Sequence, residues 1–147
     1  VSRMRAAGTP QESMRWLGAL ADFRRPETMT RLLQMTITDE VRTQDAPLVL
    51  RRALSNPALG PMAWQFVADE WDTINARLPS NSIARLLGGV RTLNDPSIAD
   101  SVRTFFDTHD VPQGDKILAQ HLEYLGVNVA LRRREHDRLA HRLLHGH

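Results

Sequence analysis

The sequence predicts an all-α fold, an α-solenoid in which about eight short helices stack side by side as antiparallel pairs. Three observations predict it. Apolar residues recur at three- and four-residue spacing along nearly the whole chain. Prolines and Asn-Pro or Asp-Pro steps interrupt that spacing at short intervals and supply helix starts. No window holds four or more alternating apolar residues between hairpin-type turns, so no strand is expected. The helix-pair spacing is irregular, which rules out a strict sequence repeat.

Thr9-Pro10-Gln11-Glu12 reads as a capping box with proline at the first helical position. Trp16, Leu17, Leu20 and Phe23 then mark the apolar face of a first helix. Pro26 starts a second helix, with Met29, Leu32, Leu33 and Ile37 inward. Asp45 is the expected cap of a third, because Pro47 is tolerated in a first turn. Leu50 and Leu54 lie on its apolar side, and Asn56-Pro57 ends it. Trp64, Val67, Trp71, Ile74 and Leu78 give one continuous amphipathic stripe for a fourth helix. Pro79-Ser80-Asn81-Ser82 ends that helix and caps a fifth, carrying Ile83, Leu86, Leu87 and Val90. Asp95-Pro96 starts a sixth, with Ile98, Val102, Phe105 and Phe106 inward. After Val111-Pro112-Gln113-Gly114 comes a seventh, with Leu118, Leu122, Leu125 and Val129. A last helix is expected from near Glu135, carrying Leu139, Leu143 and Leu144.

A chain of 147 residues fits one domain and can bury about 68–70% of its unfolded surface. The pI of 9.9 looks basic. The net charge is only +2, because eighteen arginines and one lysine are set against 17 acids. Acids and bases mostly alternate, as on a solvated helical surface, rather than gathering on one face as a phosphate binder requires. Neither nucleic acid nor membrane is an expected partner. There are no cysteines, so no disulfide or thiolate metal site forms, and a reducing compartment suits the chain. No apolar run spans a membrane. No apolar stretch follows Arg3 and Arg5 to make a signal peptide. A cytoplasmic location is the expectation. The chain starts at Val1 rather than Met. It reads as a piece cut from a longer protein, a processed start being the alternative.

Candidate chemistry is sparse. Zinc peptidases place two helical histidines four apart with a glutamate after the first. His136 and His141 are one residue too far apart, about 140° around a helix. His141 and His145 have the right separation, but no glutamate follows the first, and both read as solvated tail residues. His109 and His121 stand alone and read as satisfied or exposed histidines. No Gly-x-Ser-x-Gly turn supports acyl transfer. Gly88-Gly89 lacks the remainder of a phosphate loop and reads as close helix packing or a kink. The cluster Arg132, Arg133, Arg134, Arg138 and Arg142 is placed near a helix C-terminus, where cations favour the dipole. Glu135 and Asp137 interleave it, and it lacks the aromatics of a single-strand binder. Trp64 and Trp71 read as core rather than as a stacking platform, and Arg51-Arg52 as a solvated or ion-paired face. The residues themselves supply no catalytic group and no metal site.

Taken in order, several segments resemble the C-terminal helical domain of the aminopeptidase N family of zinc aminopeptidases (gluzincins), in the puromycin-sensitive and endoplasmic-reticulum branch. They are T-P-Q-E-S-M-R-W-L-G-A-L-A-D-F, V-R-T-Q-D-A-P, N-P followed by A-W-Q-F-V-A-D-E-W, S-N-S-I-A-R-L-L-G-G-V, V-R-T-F-F-D-T-H, and L-E-Y-L-G-V-N-V-A-L-R-R-R. The chain departs from the family at Glu70, where several relatives place Asn. The resemblance implies that residues 1–147 form one helical domain at the C-terminal end of a larger multidomain metallopeptidase. It implies a HEAT/armadillo-like right-handed superhelix that covers the active site, encloses a peptide-access cavity and moves between open and closed arrangements. His-Glu-x-x-His and Gly-x-Met-Glu-Asn, which belong to the family's earlier domains, are absent here. Zinc is therefore expected in the parent's catalytic domain and in no site of this chain, which should be an inactive hydrolase fragment by itself. The implied partners are that catalytic domain in the same polypeptide and peptide substrates, with self-association of the excised piece through its exposed ends.

One site residue follows from the resemblance. Arg85, in S-I-A-R-L, lies where part of the family directs an arginine toward substrate. Such an arginine binds a peptide carboxylate or acidic side chain. The competing reading is a solvated or salt-bridged helix arginine. Two functions from other classes also stand at this level: a stand-alone α-solenoid scaffold that binds proteins or peptides in its groove, and a basic helical nucleic-acid binder.

Overall fold

The computed structural model describes residues 10–21, 24–111 and 114–146. Eight α-helices and one 3₁₀ segment make up the described residues, with no strand among them. The helices are α1 (Pro10–Ala21), α2 (Pro26–Thr36), α3 (Ala46–Leu54), α4 (Gly60–Asp69), α5 (Trp71–Arg77), α6 (Ser80–Leu86), α7 (Pro96–Thr108) and α8 (Asp115–His145), with the 3₁₀ segment Leu87–Thr92 after α6. The all-α class expected from the sequence is what the structure has. Thr9, Phe23, Pro112, Gln113 and the side chain of Leu20 lie outside the described residues.

Prolines in the first turn start α2, α3, α4 and α7, where the missing N–H would have no helical partner. Asp95, at the Asp-Pro step expected to start this helix, caps α7: its Oδ1 accepts from Ser97 N at 3.0 Å and from the Ser97 hydroxyl at 2.7 Å. These hydrogen bonds, the hydroxyl's first, hold its carboxyl below the usual carboxylate range. Asp45 precedes α3 but does not cap it with its side chain. Its carboxylate instead pairs with Arg42 at 2.6 Å. The Asn56-Pro57 step is a built turn: Asn56 Oδ1 accepts from Ala58 N and Leu59 N, both at 2.9 Å.

Helix α3 is the centre of the packing. Six of its nine residues are buried, on one broad face spanning about 160° of the helix, with Leu48, Arg51 and Arg52 exposed on the other side. It packs against α1, α2, α4, α6 and the 3₁₀ segment. Met29, Leu32 and Leu33 of α2 and Leu17 of α1 complete that part of the core. Trp16 of α1 is only partly covered.

Two expected helix boundaries are corrected. The single helix expected over Trp64–Leu78 is two, broken at Glu70, whose φ of −103° and ψ of 20° depart from helical values. The break is one residue wide. Glu70 N donates to Phe66 O and Ile74 N to Glu70 O, both at 2.9 Å, so Trp64, Val67, Trp71, Ile74 and Leu78 all remain buried. Conversely, the two helices expected on either side of Glu135 are one 31-residue helix, α8. Its long C-terminal half is rich in Arg, Leu and Ala, contains no Pro, and has no Gly between Gly126 and Gly146. Gly146, at φ 72°, ends it: its N–H donates to Arg142 O at 3.0 Å. Leu139, Leu143 and Leu144, expected on an apolar face, are exposed.

Four aromatic rings join α4 and α5 to α7. Trp64 and Trp71 each meet Phe105 edge-on, at centroid distances of 5.3 and 5.4 Å, and Phe106 meets Trp71 at 5.6 Å. Edge-to-face geometry places ring hydrogens on a neighbour's electron-rich face. Trp64 Nε1 donates to the Ser101 hydroxyl at 3.3 Å. Both tryptophans are core, as the stripe predicts. Trp64→Ala should cost about 3–5 kcal/mol of unfolding free energy; denaturant titration checks this, and an unchanged midpoint would mean the ring is not structural.

Candidate functional site

Arg85, the one site residue singled out from the sequence, sits in the last turn of α6. The surrounding seam is built from α6, the 3₁₀ segment and α8. Helix α6 begins after Pro79, whose φ of −60° and ψ of 141° hold the chain extended. At Leu87 the chain tightens, and Gly88 and Gly89 lie directly on α3. A Cβ on Gly89 would stand 2.5 Å from the Arg51 carbonyl oxygen and 2.6 Å from Leu54 Cβ. One on Gly88 would stand 3.2 Å from the Arg51 guanidinium. The glycines thus permit close packing, one of the two roles their sequence context suggested.

The 3₁₀ segment delivers Arg91 to α8. There Arg91 Nε donates to His121 Nδ1 at 2.8 Å. Arginine can only donate, so Nδ1 is the acceptor and the ring proton is on Nε2. That nitrogen donates to the Ala84 carbonyl at 3.0 Å. Both ring nitrogens of this buried, neutral histidine are satisfied. Burial is the main cause that pushes its pKa below the ordinary histidine value of 6.5, and the Arg91 and Arg51 charges add to it. The bond to Ala84 opposes them. The Arg91 guanidinium lies 4.2 Å from the centroid of the Tyr124 ring, and Asn128 Nδ2 donates to Arg91 O at 2.7 Å. Beside them is an open groove of about 480 Å³ lined by Arg91, Gln120, Glu123, Tyr124 and Val127.

Arg85 itself is exposed, with no ion pair to any described residue. Its neighbour Ala84 is buried and belongs to the hydrogen-bonded set through its carbonyl.

The other candidates are dispersed. His109 stacks on Phe105, with ring centroids 3.9 Å apart and planes 2° from parallel, and its Nδ1 lies 2.9 Å from the Phe105 carbonyl oxygen. His141 and His145 lie side by side, 4.3 Å between centroids, on the exposed end of α8. Among the described residues no three His, Cys, Asp or Glu side chains gather where a metal ion could be held. The arginine cluster is not at a helix C-terminus as expected. Because α8 runs on to His145, only Arg142 lies in its last turn. Arg132 is partly engaged, donating to Asn94 Oδ1 at 3.2 Å and standing 3.9 Å from Asp95 Oδ2.

The pairing of Arg91 with His121 was not legible, since 30 residues separate the two. One hint existed: His121 falls on the core-facing stripe of α8 among Leu118, Leu122 and Leu125, where a polar residue must find buried partners.

Residues 1–125 match the family model of the ERAP1-like C-terminal domain. Three rice proteins (Oryza sativa subsp. japonica) are similar. Aminopeptidase M1-C is 28% identical over 127 residues, covering 85% of this chain and 14% of that protein. Aminopeptidase M1-D is 28% identical over 121 residues, 81% of this chain and 14% of the relative. Aminopeptidase M1-A is 25% identical over 120 residues, 81% and 13% respectively. The chain therefore spans only about a seventh of the length of these relatives. The distal part of α8 lies beyond the family match.

The His121 arrangement has a consequence for stability. Below pH 6.5 the unfolded chain takes up a proton that the folded site resists, so stability is present above that value and is lost as pH falls toward the lowered folded value. The loss in melting temperature between about pH 8 and about pH 5 should be smaller in His121→Gln than in the unmutated protein. An identical loss in both would remove His121 as a contributor.

Proposed function

The chain belongs to the family of ERAP1-like C-terminal domains, and from that premise we propose that it is the non-catalytic C-terminal domain of a zinc-dependent aminopeptidase. In this reading it covers the active site, encloses the cavity through which peptides enter, and contacts peptide substrates. The observation that carries it is the family match over residues 1–125, joined to relatives named as aminopeptidases of which this chain corresponds to a small part. In this reading its helix pairs stack as a solenoid, an architecture whose concave face suits a long, extended substrate. Zinc and the bond-breaking residues belong to the catalytic domain of the same polypeptide. The described residues of this chain do not fit the metal, since no three candidate ligands converge. The domain's contribution to catalysis is therefore enclosure: excluding water and holding peptide in register while chemistry proceeds elsewhere.

Arg85 is the residue assigned to substrate in this reading. Its exposed guanidinium is available to a peptide carboxylate or acidic side chain. In the full-length polypeptide, Arg85→Ala should raise KM for peptides of several residues more than for single aminoacyl anilides. Steady-state kinetics on both substrate classes decide it, and equal effects on the two would count against a peptide-contacting role.

A further inference from the structure

Arg91 is held more firmly than packing requires. Three residues of α8, at positions i, i+3 and i+7 of one helical stripe, hold it: His121 at Nε, Tyr124 beneath the guanidinium plane and Asn128 at the backbone carbonyl. These contacts commit Nε and one face of the guanidinium. They leave the two Nη nitrogens unused. No carboxylate pairs with Arg91 among the described residues, although the side chain is half-buried. A partly desolvated cation without a counter-ion is costly unless something else offsets the loss of water. Here a neutral imidazole and an aromatic face do so.

The choice of partner matters. A carboxylate in the place of His121 would neutralise Arg91 and compete for its Nη edge. A neutral imidazole offers a single lone pair and occupies only Nε. The result is a fixed, charged fork on the wall of the groove formed with Gln120, Glu123, Tyr124 and Val127.

We propose that Arg91 is a carboxylate-binding residue, presenting its two Nη nitrogens to a carboxylate of a peptide lying in this groove. The assignment deepens the function proposed above, on which the identity of the ligand as a peptide rests. Planar bidentate recognition is what a guanidinium edge supplies, and an arginine already held by three contacts loses little rotamer freedom on binding. The Tyr124 ring and Val127 offer apolar surface beside the charge, and Gln120 offers an amide. Glu123 lines the same groove and opposes strongly charged anions, which favours a single carboxylate over a phosphate group. Arg85, with no such clamp among the described residues, is the less prepared of the two arginines.

The test is equilibrium binding of fluorescein-labelled hexapeptides to the full-length protein by anisotropy. Three peptides serve: hexaalanine with a free C-terminal carboxylate, its C-terminal amide, and the amide with Glu in the last position. The free acid, the Glu peptide or both should bind about tenfold more tightly than the plain amide. Which of them does so separates a terminal carboxylate from a side-chain one. Arg91→Gln should abolish that preference, and Arg91→Lys should restore only part of it. Equal affinity of the three peptides for the unmutated protein overturns the proposal, without recourse to any variant. So does a preference that survives Arg91→Gln with an unchanged melting temperature. Arg85→Gln, measured in parallel, separates the two assignments: a preference lost there and kept in Arg91→Gln sinks this inference and leaves the Arg85 reading standing, whereas the reverse sinks only the Arg85 reading.

Discussion

The rest of the structure depends on how closely the segment after α6 approaches α3. With Gly89 a Cβ-width from the Arg51 carbonyl and Leu54, the chain runs against backbone that has no room to yield. That approach places the 3₁₀ segment between α3 and α8, and it packs against both. Helix α3 is held on its broad buried face by α1, α2, α4 and α6. Arg91, carried by this segment, reaches His121 of α8. Continued as an α-helix, the segment would turn about 100° per residue instead of the roughly 120° of a 3₁₀ helix, so Arg91 would be presented in a different direction.

A second constraint ties the middle of the chain to α7. Trp64 and Trp71, on either side of the Glu70 break, converge on Phe105 and Phe106. The hydrogen bonds that flank Glu70 bridge α4 and α5, and the apolar stripe stays buried across the interruption. Non-directional burial supplies most of the stabilisation, and edge-on ring contacts add geometric preference to it. Trp64 also satisfies its indole N–H within the cluster, which lets so large a side chain be buried without an orphaned donor.

Helix α8 is two things in one element. Its first half is structural: His121 and Leu125 are buried, and His121, Tyr124 and Asn128 hold Arg91. From Leu131 onward nearly every residue is exposed, and the helix is sustained by local propensity and its glycine stop rather than by packing. The arginines spread along this half, with Glu135 and Asp137 among them, form a solvated surface of mixed sign rather than one basic face.

The sequence alone determined what is local. Helical class, proline starts, the helix start at Asp95-Pro96, the break at Asn56-Pro57 and the burial of both tryptophans follow from spacing and from residue chemistry within a few positions. The helix start expected near Glu135 ignored the helix-forming run before it, which continues α8 to its stop at Gly146. Tertiary structure decided the rest. Nothing in a stripe says that its helix will break at Glu70. Nothing in a lone histidine says that an arginine 30 residues away and a carbonyl 37 residues away will take its two ring nitrogens. Periodicity reports which face of a helix leaves water. Which buried groups then meet depends on how helices far apart in sequence pack together, and that information is held by no single segment.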